Sequence, residues 1–308
     1  MNKKRSKIIS SLLLLLTSLI WGSAFVAQSV GTEYTGPWTF VFSRYVLSTL
    51  VLIPVTILTN KAAHNDNTEA ENRSSVKNYI TGGLCCGLFL GLASIAQQAG
   101  IEYTTAGKAG FITTLYVVLV PLISLFFGKK AGKKVWFCAF LGLCGLYLIS
   151  VKEGFSIEKG DALVMLCALL FSFQILCVDH FSAKVKNVVV LSNIQFFVST
   201  LIGFTGMLIF ERPTPEGIIK CAVPILYAGI LSGAAGYTLQ MVAQKNTDPS
   251  VASLIMSMES VFAALTGWLI LGQSLSPREL TGCIVLFTAV ILSELPDTVL
   301  PSFKRHTD

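Results

Sequence analysis

Glu259 stands as the one acid inside a long apolar run, SVASLIMSMESVFAALTGWLILG. It lies roughly 15 Å along a helix that begins near Pro249, at 1.5 Å per residue, which is close to the centre of a bilayer. A charge held there costs about 2.5–3.5 kcal/mol on insertion scales, so such a residue usually faces a cavity or a partner. A carboxyl at that depth can carry a proton or meet a substrate amine. The plainer alternative is a neutral glutamate making one structural hydrogen bond. Arg44, in FVFSRYVLSTL, is the one basic residue well inside an apolar run. Its guanidinium suits a carboxylate, either of a substrate or of Glu259. Otherwise it snorkels to the headgroups.

Other polar groups sit at similar depths. Tyr116, with Thr113 one turn before it, can offer a phenol to a ligand or pack as a core aromatic. Trp21, in LIWGSAF, lies too deep for an interfacial belt and is expected to line a cavity or fill the gap beside Gly22. Gln97 and Gln240 come towards the ends of their runs, where an amide can close a helix end or gate a path. Ser253, Ser257 and Ser260 flank Glu259, and Ser257 is the hydroxyl taken as a candidate ligand contact. Asp179 and His180 read as a solvated helix boundary.

The elements that must position these groups are apolar helices. The 308 residues are 53% hydrophobic and 13% charged, with a mean hydropathy of +0.69. A soluble domain carries about 25% charged residues. The runs are unbroken and about 20 residues long, twice a barrel strand, so the fold class is an all-α integral membrane protein. Ten spans are expected: 8–28, 37–59, 79–99, 105–127, 135–151, 160–181, 188–210, 220–243, 249–271 and 279–295. The polar stretch 60–78 reads as a disordered cytoplasmic loop, and 296–308 as a cytoplasmic tail. Pro121 and Pro54 are expected to kink the fourth and second spans. Pro121 has no counterpart in the ninth span, so a bend is expected in one half alone.

Two stretches resemble each other. Gln97–Gly128 overlays Gln240–Gly272 with one late insertion, bringing Gln97 onto Gln240, Thr104 onto Thr247 and Tyr116 onto Glu259. Arg44–Leu50 likewise overlays Gln195–Leu201. The repeats are 8–151 and 160–295, five spans each. An odd number per repeat sends the second half across in the opposite sense, an inverted architecture recurrent in transporters. Gly83, Gly87 and Gly91 in the third span, and Gly229, Gly233 and Gly236 in the eighth, form small faces for close helix packing or for sliding.

The net charge of +6 is distributed by side rather than gathered in a patch, which argues against nucleic acid. With the N-terminus inside, sixteen Lys and Arg fall on the cytoplasmic side and six outside, Arg44 apart. Both termini are therefore expected in the cytoplasm. The basic N-terminus and its leucine run read as a retained helix rather than a cleaved signal, because the apolar run is too long. All eight cysteines fall in apolar runs without metal-ligand spacing and are read as small hydrophobes. No nucleophile–base pair, phosphate loop or metal motif is apparent in the sequence, so no cofactor, no metal and no enzymatic activity are expected.

Taken together, IWGSAFVAQ, GPWTFVFSRYVLSTLVLIP, YTTAGKAGFITTLYVVLVPLISLFFGKK and SVASLIMSMESVFAALTGWLILGQSLSPRELTGCIVL resemble the EamA family of the drug/metabolite transporter superfamily. The resemblance covers nearly the whole chain. It implies a ten-helix secondary transporter of the inner or plasma membrane, with a central cavity between two EamA repeats. Members move small metabolites, often exporting amino acids, others handling sugars, vitamins or drugs. The family supplies no universal site residue to carry over.

The expectation is therefore a transporter, most simply an exporter, of small polar metabolites such as amino acids. It would work by alternating access with proton coupling as one option. The cavity is expected between spans one, two, four, six, seven and nine, with three and eight completing its walls. Its candidate contacts are Glu259, Tyr116, Arg44, Trp21, Gln97, Gln240 and Ser257. The alternatives are an uptake transporter, a passive channel or a membrane sensor. An integral membrane lipid enzyme would need an interfacial catalytic cluster that the short loops do not offer.

Overall fold

The computed structural model describes residues 3–62, 69–104, 106–129, 131–150, 159–271 and 276–295. All secondary structure among them is helical. Eight stretches are long and apolar enough to cross a bilayer. They comprise α1 (Lys3–Gly31), α2 (Pro37–Ala62), α3 (Glu69–Ile101), the broken fourth run α4 (Ala106–Thr113) with α5 (Tyr116–Phe126), α7 (Lys159–Ser182), α8 (Val188–Phe210), an eighth run and a ninth. After the short surface helix α9 (Pro215–Lys220), the eighth run is composite. It joins α10 (Ala222–Leu226), a π-helical segment (Tyr227–Tyr237) and α11 (Thr238–Gln244). The ninth is α12 (Pro249–Met256) with α13 (Glu259–Leu271). Two shorter helices, α6 (Lys133–Ser150) and α14 (Pro277–Glu294), hold 18 residues each, about 27 Å at 1.5 Å per residue.

Local chemistry sets several ends. Asn187 caps α8 by accepting from the Val189 N–H at 3.0 Å. Asp248 caps α12 ahead of Pro249, and Ser276 with Glu279 forms a reciprocal capping box on α14. The polar stretch expected as a disordered loop over 60–78 is instead helical at both margins. Helix α2 runs to Ala62 and α3 starts at Glu69, while 63–68 and the tail 296–308 lie outside the described residues.

Two helix pairs made of equivalent members form seams. In α2–α8, a Cβ on Gly206 would overlap the Trp38 ring, and one on Gly203 would lie a tight 3.0 Å from the Phe42 backbone. Glu211 accepts from the N–H groups of Trp38 and Thr39 at 2.9 and 2.8 Å at one end of that seam. Asn187 donates to Thr59 at 2.9 Å at the other. In α6–α14, Gly145 and Gly282 each face the other's carbonyl, at 2.8 and 2.7 Å from an added Cβ. The glycine faces of the third and eighth runs also pack closely. Gly83 and Gly87 meet Ile194 and Val198 of α8, and Gly229 and Gly233 meet Leu47 and Ser48 of α2.

Other contacts also cross between the halves. Helix α1 packs on the eighth and ninth runs, and α7 packs in the corresponding way on the third and fourth. Lys108–Asp161 at 2.6 Å and Lys129–Asp179 at 2.5 Å tie α7 to the two ends of the fourth run. Lys7 and Glu294, 3.7 Å apart, bring the start of α1 and the end of α14 to one face, the terminal face. Large apolar side chains such as Leu58, Leu208, Ile209 and Phe126 point outward, as a lipid-facing belt requires.

Candidate functional site

The fourth and ninth runs break at the same place. Helix α4 stops at Thr113 and α5 starts at Tyr116; α12 stops at Met256 and α13 starts at Glu259. A break thus occurs in both halves, where a bend was expected in the first alone. Pro121 lies inside continuous α5, and the ninth run breaks without a proline. A hydroxyl bonded to a carbonyl of its own helix stands at each break. Thr114 donates to the Phe111 carbonyl at 2.8 Å, and Ser257 donates to the Leu254 carbonyl at 2.7 Å. Each takes a carbonyl three residues back, a bond known to bend helices, and the backbone answers with shortened bonds such as Leu115 N–H to Ile112 and Met258 N–H to Ile255. Thr114 and Ser257 are equivalent in the repeat. The breaks also touch, because Ser260 and Thr114 hydroxyls lie 3.3 Å apart.

Glu259 and Tyr116 open the second segment of each broken run and face each other. The Tyr116 hydroxyl donates to Glu259 Oε1 at 3.2 Å. Glu259 is 3% exposed and forms no ion pair among the described residues. Arg44 is 2% exposed, so it does not snorkel, and it makes no ion pair with Glu259 or any other described acid. Its guanidinium donates to the Tyr45 hydroxyl at 2.5 Å and to Ser94 Oγ at 3.3 Å, lies over the Tyr45 ring, and leaves Nε without a partner.

A cavity of about 30 Å³ lies between these groups. That is room for about one water and not for a metabolite. Of the seven residues singled out in the sequence, Glu259, Tyr116, Arg44, Trp21, Gln97 and Gln240 line it. Ser257 does not; its hydroxyl is turned onto its own helix at the break. The seventh span, expected in the wall, contributes no lining residue. Its Gln195 stands one layer behind, accepting from Gln174 at 3.1 Å.

Trp21 reaches the cavity through the π segment. Its indole N–H donates to the Ser232 carbonyl at 3.1 Å, its ring stacks obliquely on Tyr237, and a Cβ on Gly236 would sit 2.7 Å from the indole nitrogen. A π segment widens a helix and recurs at functional sites. The sequence reading missed it, along with Ser232, Tyr237, Phe25, Gln28, Phe171, Gln174 and Ile175 in the lining. Gln174 was detectable as an amide inside an apolar run, SFQILC. The π segment has no local signal beyond its glycines.

The sequence profile of the EamA-like transporter family matches residues 8–151 and again 158–295. The chain belongs to the EamA-like transporter family. Two copies of the family unit therefore make up nearly all of this EamA-like protein, a multi-pass membrane transporter. It is similar to a protein of Archaeoglobus fulgidus named as an uncharacterized transporter, 28% identical over 94% of this chain and 87% of that one. The uncharacterized transporter YoaV of Bacillus subtilis is 22% identical over 90% and 93%. The uncharacterized inner membrane transporter YedA of Escherichia coli is 20% identical over 92% and 90%. A crystal structure superposes with a TM-score of 0.75 over 95% of this chain and 99% of the other at 17% identity, which shows a shared fold.

Proposed function

We propose that this EamA-like protein is a ten-span secondary transporter that exports small polar metabolites, amino acids foremost, by alternating access. Helices α6 and α14 would complete two inverted five-span repeats, and the terminal face would be cytoplasmic, in line with the sixteen-to-six division of basic residues. The observation that carries the reading is the cavity between the two breaks, with an acid and an arginine both buried and not paired with each other. An arginine keeps its charge, and a buried charge without a counter-ion is unfavourable by several kcal/mol. A substrate carboxylate would supply that counter-ion. Glu259 would bind a proton or the substrate amine, and Tyr116 would orient the ligand. Because the cavity holds only a water, binding requires the α1–eighth–ninth group to part from the α7–third–fourth group.

The test is flux of labelled amino acids in proteoliposomes under a pH gradient, comparing the native protein with Glu259→Gln. Gradient-driven accumulation is expected to fall about tenfold, within the 5–150-fold span of typical coupling energies. Transport by Glu259→Gln at the native rate, with unchanged proton dependence, would remove Glu259 from coupling. Flux of sugars or vitamins but of no amino acid would overturn the substrate class, and accumulation only in the uptake direction would overturn export.

A further inference from the structure

Two layers of amides flank the cavity, and they are joined unequally. On the side of the terminal face, Gln174 of α7 and Gln240 of α11 form a reciprocal pair. Gln240 Nε2 donates to Gln174 Oε1 at 3.2 Å, and Gln174 Nε2 reaches Gln240 Oε1 at 3.4 Å. Gln174 Nε2 also donates to Gln195 Oε1 at 3.1 Å, and Gln244 Nε2 donates to the Ile175 carbonyl at 3.2 Å. Apart from the Gln195 bond, which ties α7 to α8, these bonds link α7 to α11, and so link one packed group to the other. On the opposite side the corresponding crossing is between α1 and α3. There a single amide bond spans it, from Gln98 Nε2 to the Gln28 carbonyl at 3.0 Å. Each layer leaves two amide atoms buried without a partner, Gln28 Oε1 and Gln98 Oε1 here, Gln195 Nε2 and Gln244 Oε1 in the other.

The repeat shows why the layers differ. Gln97 is the equivalent of Gln240, but it donates to Thr113 Oγ1 at 3.1 Å, inside its own group. Arg44 is the equivalent of Gln195, and it bonds Tyr45 and Ser94 rather than an amide across the gap. Apolar packing between the groups does not offset this. The ninth run meets the fourth on both sides, α12 with α5 and α13 with α4. On the side opposite the termini the ninth run also meets the fourth through the single Ser260 hydroxyl, 3.4 Å from the Gly110 carbonyl and 3.3 Å from Thr114 Oγ1, so what differs is the amide lock.

We infer that the Gln174–Gln240 layer is the stronger of two gates, so that the cavity opens first to the face opposite the termini. The inference rests on the alternating-access reading above. Each neutral amide bond contributes modestly, so two such bonds bias the two openings by about a factor of ten.

The test is cysteine labelling at the cavity wall. Ser232→Cys places a thiol there, and a membrane-impermeant maleimide is applied to sealed vesicles of each orientation. The faces are defined by a tag on the C-terminus, and the protein without Ser232→Cys gives the baseline from its native cysteines. Labelling is expected to be faster from the face opposite the tag. Adding Gln174→Leu with Gln240→Leu should raise the rate from the tagged face about tenfold. Should that pair fail to fold, Gln244→Leu alone removes one cross-group bond and should raise the same rate about threefold. Equal labelling from both faces in Ser232→Cys alone would overturn the inference. So would a tagged-face rate that the folded gate variants leave unchanged. Labelling needs no substrate, so a protein that labels as expected yet carries no solute would defeat the transport reading and leave the gate order standing.

Discussion

The fourth and ninth runs are the same device built twice with different chemistry at its centre. Both break two residues after a buried carbonyl is captured by a hydroxyl, and both restart on a polar residue facing the cavity. One restarts on a phenol and the other on a carboxyl, and the two are bonded to each other. Their surroundings differ as well. Beside the ninth break, α1 approaches so closely that a Cβ on Gly22 would lie 2.5 Å from the Glu259 carbonyl and 2.8 Å from the Ala263 nitrogen. Beside the fourth, a Cβ on Gly110 would find nothing nearer than 3.9 Å. The difference teaches that repeat symmetry fixes where the helices break, while the site takes its character from what each half places at the break.

The largest effect should come from that crowding. Gly22→Ala must displace backbone of the ninth run, and overpacking of this kind costs about 1–3 kcal/mol. Gly110→Ala would sit at ordinary van der Waals distance from Phe25 and Ser260 and should gain up to about 1 kcal/mol of helix propensity. Thermal unfolding of the purified protein in detergent should therefore move in opposite directions for the two alanines. A shift of the same sign and size for both would mean that the two breaks are equally packed.

A smaller effect is expected at the phenol. Tyr116→Phe removes the donor to Glu259 and keeps the ring, with a loss of about 1 kcal/mol for a net hydrogen bond. Read as transport, apparent substrate affinity should weaken about fivefold while proton dependence persists. Glu259→Gln is expected to show the converse, with coupling lost. If Tyr116→Phe abolished proton dependence too, the phenol and the carboxyl would be one coupling unit, and the contrast between the breaks would disappear.

Much of this organisation could be read from the residues because it rests on period and rarity. Long apolar runs reveal the helices. An acid, an arginine and isolated amides in such runs stand out because burying them is costly, and six of the seven flagged residues do line one cavity. What escaped depends on contacts made across the chain. The breaks fall at hydroxyls rather than at the visible proline, and because Ser18 and Ser23 take carbonyls three residues back inside unbroken α1, a hydroxyl in an apolar run does not by itself announce a break. Ser257 was flagged as a ligand contact, and its hydroxyl is turned onto its own helix. The π segment depends on Trp21 drawing on the Ser232 carbonyl and on Gly236 giving it room. The two packed groups are not the two sequence halves, since α1 and α7 each pack on the other half, and an order of spans along the chain does not reveal such an exchange.

The smallest effect tests how far the symmetry holds away from the site. Ser48 and Ser199 are equivalent, and each places its single hydroxyl proton between two carbonyls in the same manner. Ser48 Oγ bonds the Arg44 carbonyl at 2.9 Å and the Gly229 carbonyl at 2.7 Å; Ser199 Oγ bonds the Gln195 carbonyl at 3.0 Å and the Gly87 carbonyl at 2.9 Å. The acceptors differ in setting, because Gly87 lies in regular α3 and Gly229 in the π segment. Interhelical bonds of this type contribute about 0.6 kcal/mol in a membrane. Ser48→Ala and Ser199→Ala should thus lower stability by equal small amounts in matched unfolding measurements. A clearly larger loss for Ser48→Ala would mean that the π segment depends on that hydroxyl. The difference between continuous α3 and the composite eighth run would then carry an energetic difference into the packing on α2, and the two halves would differ in the stability of their scaffold as well as in their chemistry.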